Sequence, residues 1–229
     1  MIHWFFWVNA ALLGGALNAS GPEAFQALLV WMAVVFVSIL IHELGHAFAM
    51  RQLGDRRVGI VLFAMGGYAQ GSLPRTRGQD VWVTAAGPLA QIVGAALVAL
   101  VAAALGIVWL KQMGSFLEGL FQHGLYVPST APLLVQAVYL FVGSSVFWAI
   151  LNLVPVLPLD GGRIAAAIGG PRGQKAVLGL GMVCALLLAA VLWFQFRAPI
   201  GTILFCVLAY NNFQQLRGAP QVPFFGTGR

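Results

Sequence analysis

Charge is what this sequence has least of. Of its 229 residues only 8% are Asp, Glu, Lys or Arg, against about 25% in an ordinary soluble domain. Hydrophobic residues make up 60%, and the mean hydropathy is +0.90. A chain so poor in charge cannot cover a water-facing surface. That excludes a soluble enzyme, a disordered regulator and a nucleic-acid-binding domain, and leaves a polytopic membrane protein in a lipid bilayer. Acids are especially scarce: Glu23, Glu43, Asp55, Asp80, Glu118 and Asp160 are all there are. Cysteine is nearly absent too. Cys184 and Cys206 both stand in apolar stretches and read as packing residues, not as a disulfide or a metal pair. No basic start or convincing cleavage signal marks a signal peptide, so the first apolar stretch is read as retained. No internal repeat, low-complexity tract or appended soluble domain is found.

What is there is a succession of apolar segments: 2–17, 24–50, 81–110, 131–159, 176–196 and 200–213. A span needs about 20 residues, so the first and last are short. The expectation is an all-α polytopic protein of about six transmembrane helices, forming one integral-membrane domain over 1–229 with a core at 24–163 and C-terminal helices at 176–214. Basic residues orient it. With the loop after the second segment in the cytoplasm, Arg51, Arg56, Arg57, Arg75, Arg77, Arg163, Arg172, Lys175, Arg217 and Arg229 share that side, and only Lys111 and Arg197 face the other. This obeys the positive-inside bias and predicts both termini in the cytoplasm. It also explains the net charge of +6 by anionic lipid, with no nucleic acid partner. Residues 58–72 (VGIVLFAMGGYAQGS) are rich in β-formers and split by Gly66-Gly67. They read as a β-hairpin dipping into the membrane from the cytoplasmic side, or equally as an interfacial loop. Residues 112–130, with no clear periodicity, read as an interfacial loop on the outer side.

At the cytoplasmic end of the second segment stands His42-Glu43-Leu44-Gly45-His46. On a helix the two histidines project from one face, one turn apart, and both imidazoles can reach one zinc. Glu43 sits on the shoulder of that face, able to touch a metal-bound water but poorly placed as a ligand. A carboxylate inside a span costs about 2.5–3.5 kcal/mol on insertion scales, so the cluster is functional by default. The pair lies roughly 7–14 Å cytoplasmic of the segment's midpoint at 1.5 Å per residue, so a short polar channel would bring water. A catalytic zinc wants three protein ligands and an open position. The fourth segment descends to the same face and ends Asn152-Leu153-Val154-Pro155-Val156-Leu157-Pro158-Leu159-Asp160-Gly161-Gly162, which makes Asp160 the candidate third ligand. His3 and His123 read as interfacial residues. Pro155 and Pro158 are expected to bend the chain so that Asp160 faces the metal, and Gly161-Gly162 to permit the turn beyond it.

His-Glu-x-x-His on a membrane helix, followed about a hundred residues later by Asn-x-x-Pro…Leu-Asp-Gly, resembles the site-2 protease family of intramembrane zinc metalloproteases, in a compact form without PDZ or CBS domain. Ala85-Ala86-Gly87-Pro88 and the Gly66-Gly67 hairpin are also family-like. The resemblance implies His42, His46 and Asp160 as ligands of one Zn2+ per chain, Glu43 as catalytic base and Asn152 as a substrate-contacting residue. It implies single-span membrane proteins as substrates. The compact chain and the lack of targeting signals point to a prokaryotic cytoplasmic membrane, and the topology opens the active site to the cytoplasm.

Two neutral imidazoles and one carboxylate leave a zinc site with net charge of about +1, enough to acidify a bound water. Glu43 then serves as general base and later protonates the leaving amine. The Asn152 amide either donates to the oxyanion or satisfies carbonyls freed by Pro155. The hairpin is expected to offer an edge on which an unwound substrate adds as a strand, with Gly66 and Gly67 lining it. Two other functions compete: a metal-ion transporter lined by His and Asp, and a non-catalytic scaffold that binds membrane helices. The first leaves Glu43 beside His42 unexplained, and the second leaves a complete ligand set without a use.

Overall fold

The computed structural model describes residues 1–17, 19–63, 66–123 and 131–218, with the backbone alone at 121–123. Seven helices and one hairpin follow in the order α1 (Trp4–Leu13), α2 (Gly21–Gln52), β1 (Gly59–Phe63), β2 (Gly66–Gln70), α3 (Arg77–Ala104), α4 (Leu110–His123), α5 (Leu133–Asn152), α6 (Asp160–Phe194) and α7 (Pro199–Leu216). Helices α2, α3, α5 and α6 are long and apolar enough to cross a membrane, and they make this an integral membrane protein. The other two apolar segments of the sequence coincide with α1, only 10 residues long, and α7, which ends in the polar run Asn211 to Gln215.

The helices are built inside out relative to a soluble protein. On α3, Val93, Leu97, Leu100 and Val101 are each more than half exposed, an outward apolar stripe at helical spacing that lipid can solvate and water cannot. The buried positions of α2, α3 and α5 instead include Ser38, His42, Glu43, His46, Gln91, Gln136, Ser144 and Ser145. In a bilayer such groups find partners only within the protein.

The chain forms two compact units. One comprises residues 1–71 and 87–149. Its main core gathers Val34 of α2, Ala95 and Ala102 of α3, Val108, Met113 of α4, and Val138, Phe141 and Val142 of α5. A second cluster joins Phe6 of α1, Ile39 of α2 and Leu62 of β1. The expected hairpin is present: β1 and β2 pair antiparallel with Leu62 opposite Gly67, and Ala64 and Met65 at its tip lie outside the described residues. The outer edge of β1 is occupied. Leu62 N–H donates to the Met1 carbonyl at 2.9 Å and His3 N–H to the Leu62 carbonyl at 2.9 Å.

Helix α4 corrects the expectation of a loop after residue 112; residues 124–130 of that stretch lie outside the described residues. Met113, Phe116, Leu117 and Leu120 recur at three- and four-residue intervals. Met113 and Leu120 are buried, while Phe116 and Leu117 pack on the main core. That stripe is what makes a helix here.

The other unit comprises residues 72–86 and those from Ile150 onward. Its core sets Val156 and Ala185 and Ala189 of α6 against Phe205, Leu208 and Ala209 of α7. The alanines let two backbones approach closely, which is how membrane helices associate when burial from water gives no drive. Helix α6 begins at Asp160, well before the apolar segment expected from 176. It is broken at Gly170, whose φ of 58° is left-handed. Pro171 follows and supplies no N–H to the preceding turn. Gly170 also admits the Arg77 guanidinium, since a Cβ there would lie 2.6 Å from its Cζ.

Candidate metal centre and catalytic site

In the first unit, α2 places Ser38, His42 and His46 four residues apart along one face. The two imidazoles meet nearly edge to face, with centroids 4.7 Å apart and planes at 83°. Their Nε2 atoms approach to 3.0 Å. Two nitrogens bound tetrahedrally to one zinc at about 2.0–2.1 Å stand about 3.3 Å apart, so the pair fits a shared metal ion with little adjustment. His42 and His46 are 5% and 6% exposed, which shields such an ion from competing water.

Two elements of the same unit, α3 and β2, shape the space around this pair. Gly87 of α3 lies directly against the His46 ring, so closely that a Cβ would overlap it. Gly67 of β2 lies against Glu43, and a Cβ there would come within 2.7 Å of Glu43 Cγ. Gly66, by contrast, has open space where a side chain would be. The hairpin therefore presses its second glycine, not its first, on the carboxylate expected to act as base. Glu43 is 3% exposed. Finally, Gln91 of α3 reaches His42, with Oε1 and Nδ1 2.9 Å apart.

In the second unit, Asn152 closes α5 and the chain leaves helical geometry for seven residues before Asp160 opens α6. Pro155 and Pro158 interrupt this stretch, and the Leu157–Pro158 bond is cis. Asp160 is 6% exposed and stands in the first turn of α6, where the helix dipole favours a carboxylate. Gly161 and Gly162 have a reason other than the expected turn. Both lie within α6, and neither has positive φ. A Cβ on Gly161 would overlap the Leu153 carbonyl, and one on Gly162 would come within 2.5 Å of Leu157 N. The first turn of α6 thus rests directly on the backbone of the proline segment.

Two residues that no motif singles out hold these parts. Gln91 is one. The other is Asn212 of α7, completely buried, whose Nδ2 donates to the Leu157 carbonyl at 2.8 Å and to the Leu208 carbonyl at 2.8 Å. Gly181 of α6 makes room for it, as a Cβ there would lie 2.8 Å from Asn212 Oδ1. The one signal available in the sequence was a polar side chain in an apolar helix, which marks a need for a partner without naming it. Asp55, in the loop after α2, is 3% exposed. Its Oδ1 accepts the Arg57 N–H at 3.1 Å, a local turn bond that replaces water.

Comparison with known proteins gives the family and the fold. The model of Peptidase family M50 matches residues 30–190, well over half of the chain. A zinc metalloprotease from Methanocaldococcus jannaschii is 28% identical over 177 residues, covering 75% of this chain. The chain spans 44% of the length of that curated relative. The solved site-2 protease from Methanocaldococcus jannaschii shares the fold, with a TM-score of 0.57 at 21% identity over 98% of this chain and 93% of that one. The chain belongs to Peptidase family M50, the site-2 protease family.

Proposed function

We propose that this protein is an intramembrane zinc endopeptidase that hydrolyses a peptide bond within or near the transmembrane segment of single-span membrane proteins. The observation that carries the reading is the convergence of His42 and His46 Nε2 at 3.0 Å, with Glu43 one residue along, inside a helix apolar enough to span a bilayer. His42, His46 and Asp160 hold one zinc ion, consistent with the metal in the name of the curated relative. The bound zinc supplies an acidified water and an electrophile for the scissile carbonyl.

This chain's own residues do the rest. The Glu43 carboxylate takes the proton of the attacking water and returns it to the leaving nitrogen. Gly67 leaves that carboxylate its place without a competing side chain. Asn152, at the end of α5, contacts the substrate backbone. Pro155, Pro158, Gly161 and Gly162 shape the approach to Asp160. A substrate helix must unwind to expose its carbonyls, and its freed groups need partners in lipid. The β2 edge offers them by strand addition. The basic-residue asymmetry supports both termini and the opening of the site on the cytoplasmic side of what is proposed to be a prokaryotic membrane, with one domain carrying the activity.

Purified wild type and Glu43→Gln provide the test, with zinc content and cleavage of a membrane-spanning reporter measured on both. Zinc in both and cleavage in the wild type alone is the expected result. Cleavage by Glu43→Gln removes the base assignment, and a wild type without zinc removes the whole reading.

A further inference from the structure

Gln91 is fully buried in α3 and bonded at both ends of its amide. Nε2 donates to Ser38 Oγ at 2.9 Å and to the Ser38 carbonyl at 3.3 Å, and Oε1 stands 2.9 Å from His42 Nδ1. The Ser38 carbonyl decides which way the amide faces. It can only accept, so the edge turned to it must be the NH2. The flipped amide would set two oxygens against each other in a buried site, a costly arrangement at low dielectric.

The edge turned to His42 is then the oxygen, which also only accepts. The hydrogen between them must belong to His42 Nδ1. A neutral imidazole protonated at Nδ1 keeps its lone pair on Nε2, the atom that faces His46. The network continues one step further. Ser38 Oγ, having accepted from the amide, has its own hydrogen available for Ser145 Oγ at 2.9 Å. Ser38, Gln91 and Ser145 come from α2, α3 and α5, and each is at most 2% exposed. Three helices thus converge to hold one amide.

We propose that Gln91, anchored by Ser38 and Ser145, is a positioning residue that locks His42 in its Nδ1–H tautomer and aims Nε2 at the metal. The inference rests on the reading of His42 as a zinc ligand.

The test compares wild type, Gln91→Leu and Gln91→Glu in detergent. Zinc affinity is read by chelator competition, ring protonation by nitrogen NMR of labelled histidine in the zinc-loaded protein, and folding by circular dichroism. The wild type should show His42 protonated at Nδ1 and metal-bound at Nε2. Gln91→Leu should weaken zinc binding by about 10–100-fold, the usual effect of removing such a partner. Gln91→Glu keeps an oxygen opposite Nδ1 and, with its other oxygen protonated in this buried position, still donates to Ser38, so it should stay within a few-fold of wild type.

Metal on His42 Nδ1 in the wild type overturns the proposal, even if Gln91→Leu fails to fold. So does a folded Gln91→Leu that binds zinc as wild type does, or a Gln91→Glu that loses as much as Gln91→Leu. A merely structural glutamine would alter unfolding without altering ring protonation or distinguishing Glu from Leu. A wild type that takes no zinc overturns the protease reading together with this one, whereas a zinc-loaded wild type matched by Gln91→Leu overturns this inference alone.

Discussion

Gly87 lies so close to His46 that any side chain on it would overlap the imidazole. The relationship is one of exclusion: at this point α3 brings a bare backbone against the ring. Alanine at 87 must displace either the ring or the helix, and Pro88 stiffens the helix at that point. A displacement of about 1 Å at a catalytic group costs on the order of 100-fold in rate. Gly87→Ala is therefore expected to lower reporter cleavage by about that factor and to reduce zinc per chain. Gly94→Ala is the control, since a Cβ there meets only Ile41 at 3.6 Å. Equal zinc and equal cleavage in the two variants would show that the close approach has no catalytic meaning.

The hairpin glycines separate in the same way. Gly67 presses on Glu43 and Gly66 presses on nothing. Gly67→Ala should push the Glu43 carboxylate away from the water it is proposed to deprotonate, lowering kcat on the order of 100-fold, the cost of misplacing a catalytic group by about 1 Å. Zinc content should not change, because the proposed site does not use Glu43 as a ligand. Gly66→Ala should cleave within about two-fold of wild type, as an uncrowded surface change has small effects. A kinetic series with zinc assay on both variants checks this, and identical behaviour would remove Gly67 from the site.

How much of this was legible beforehand depended on how local each cause is. The His42–His46 pair follows from four-residue spacing on one helix, and so it could be read directly. The hairpin could be read from its β-formers and paired glycines. Helix α4 was hidden because Gly114 and Gly119 dilute the stripe of Met113, Phe116 and Leu120. The start of α6 was hidden because Gly169-Gly170-Pro171 looks like a loop, whereas only Gly170 leaves helical geometry. Gly161, Gly162 and Gly87 share a reason that no local pattern carries: what they avoid is another segment's atoms. Gln91 and Asn212 are harder still. Each is one polar residue in an apolar helix, and its meaning lies in partners 53 and 55 residues away.

Asn212 gives the third prediction. Its Nδ2 holds the Leu157 carbonyl, three residues ahead of Asp160. Removing one partner of a buried hydrogen bond costs about 1–3 kcal/mol. Asn212→Ala should lower thermal stability in detergent accordingly and reduce cleavage further than the stability loss alone explains, because the proline segment loses its tether to α7. Gly181→Ala crowds the same amide from α6 and should act in the same direction. If Asn212→Ala melts and cleaves as wild type does, the tether contributes nothing.

The last prediction concerns which edge of the hairpin a substrate can use. Leu62 spends its N–H and carbonyl on residues Met1 and His3, away from β2. Since Leu62 faces Gly67 in the register, that couple is a non-hydrogen-bonded pair, and Gly67 likewise turns its backbone groups away from β1. Alternation makes Ala69 the next residue to do so. Gly67 and Ala69 therefore present an outward ladder beside Glu43, while Tyr68 bonds inward and holds the hairpin together. Ala69→Pro removes an outward N–H and leaves the inner ladder in place. It should reduce cleavage of a helical substrate about 10-fold or more, with zinc content unchanged; a single net hydrogen bond of about 1.5 kcal/mol already corresponds to ten-fold. Tyr68→Pro should break the hairpin and disturb Glu43 as well. Undiminished cleavage by Ala69→Pro would mean that the substrate does not add as a strand to β2.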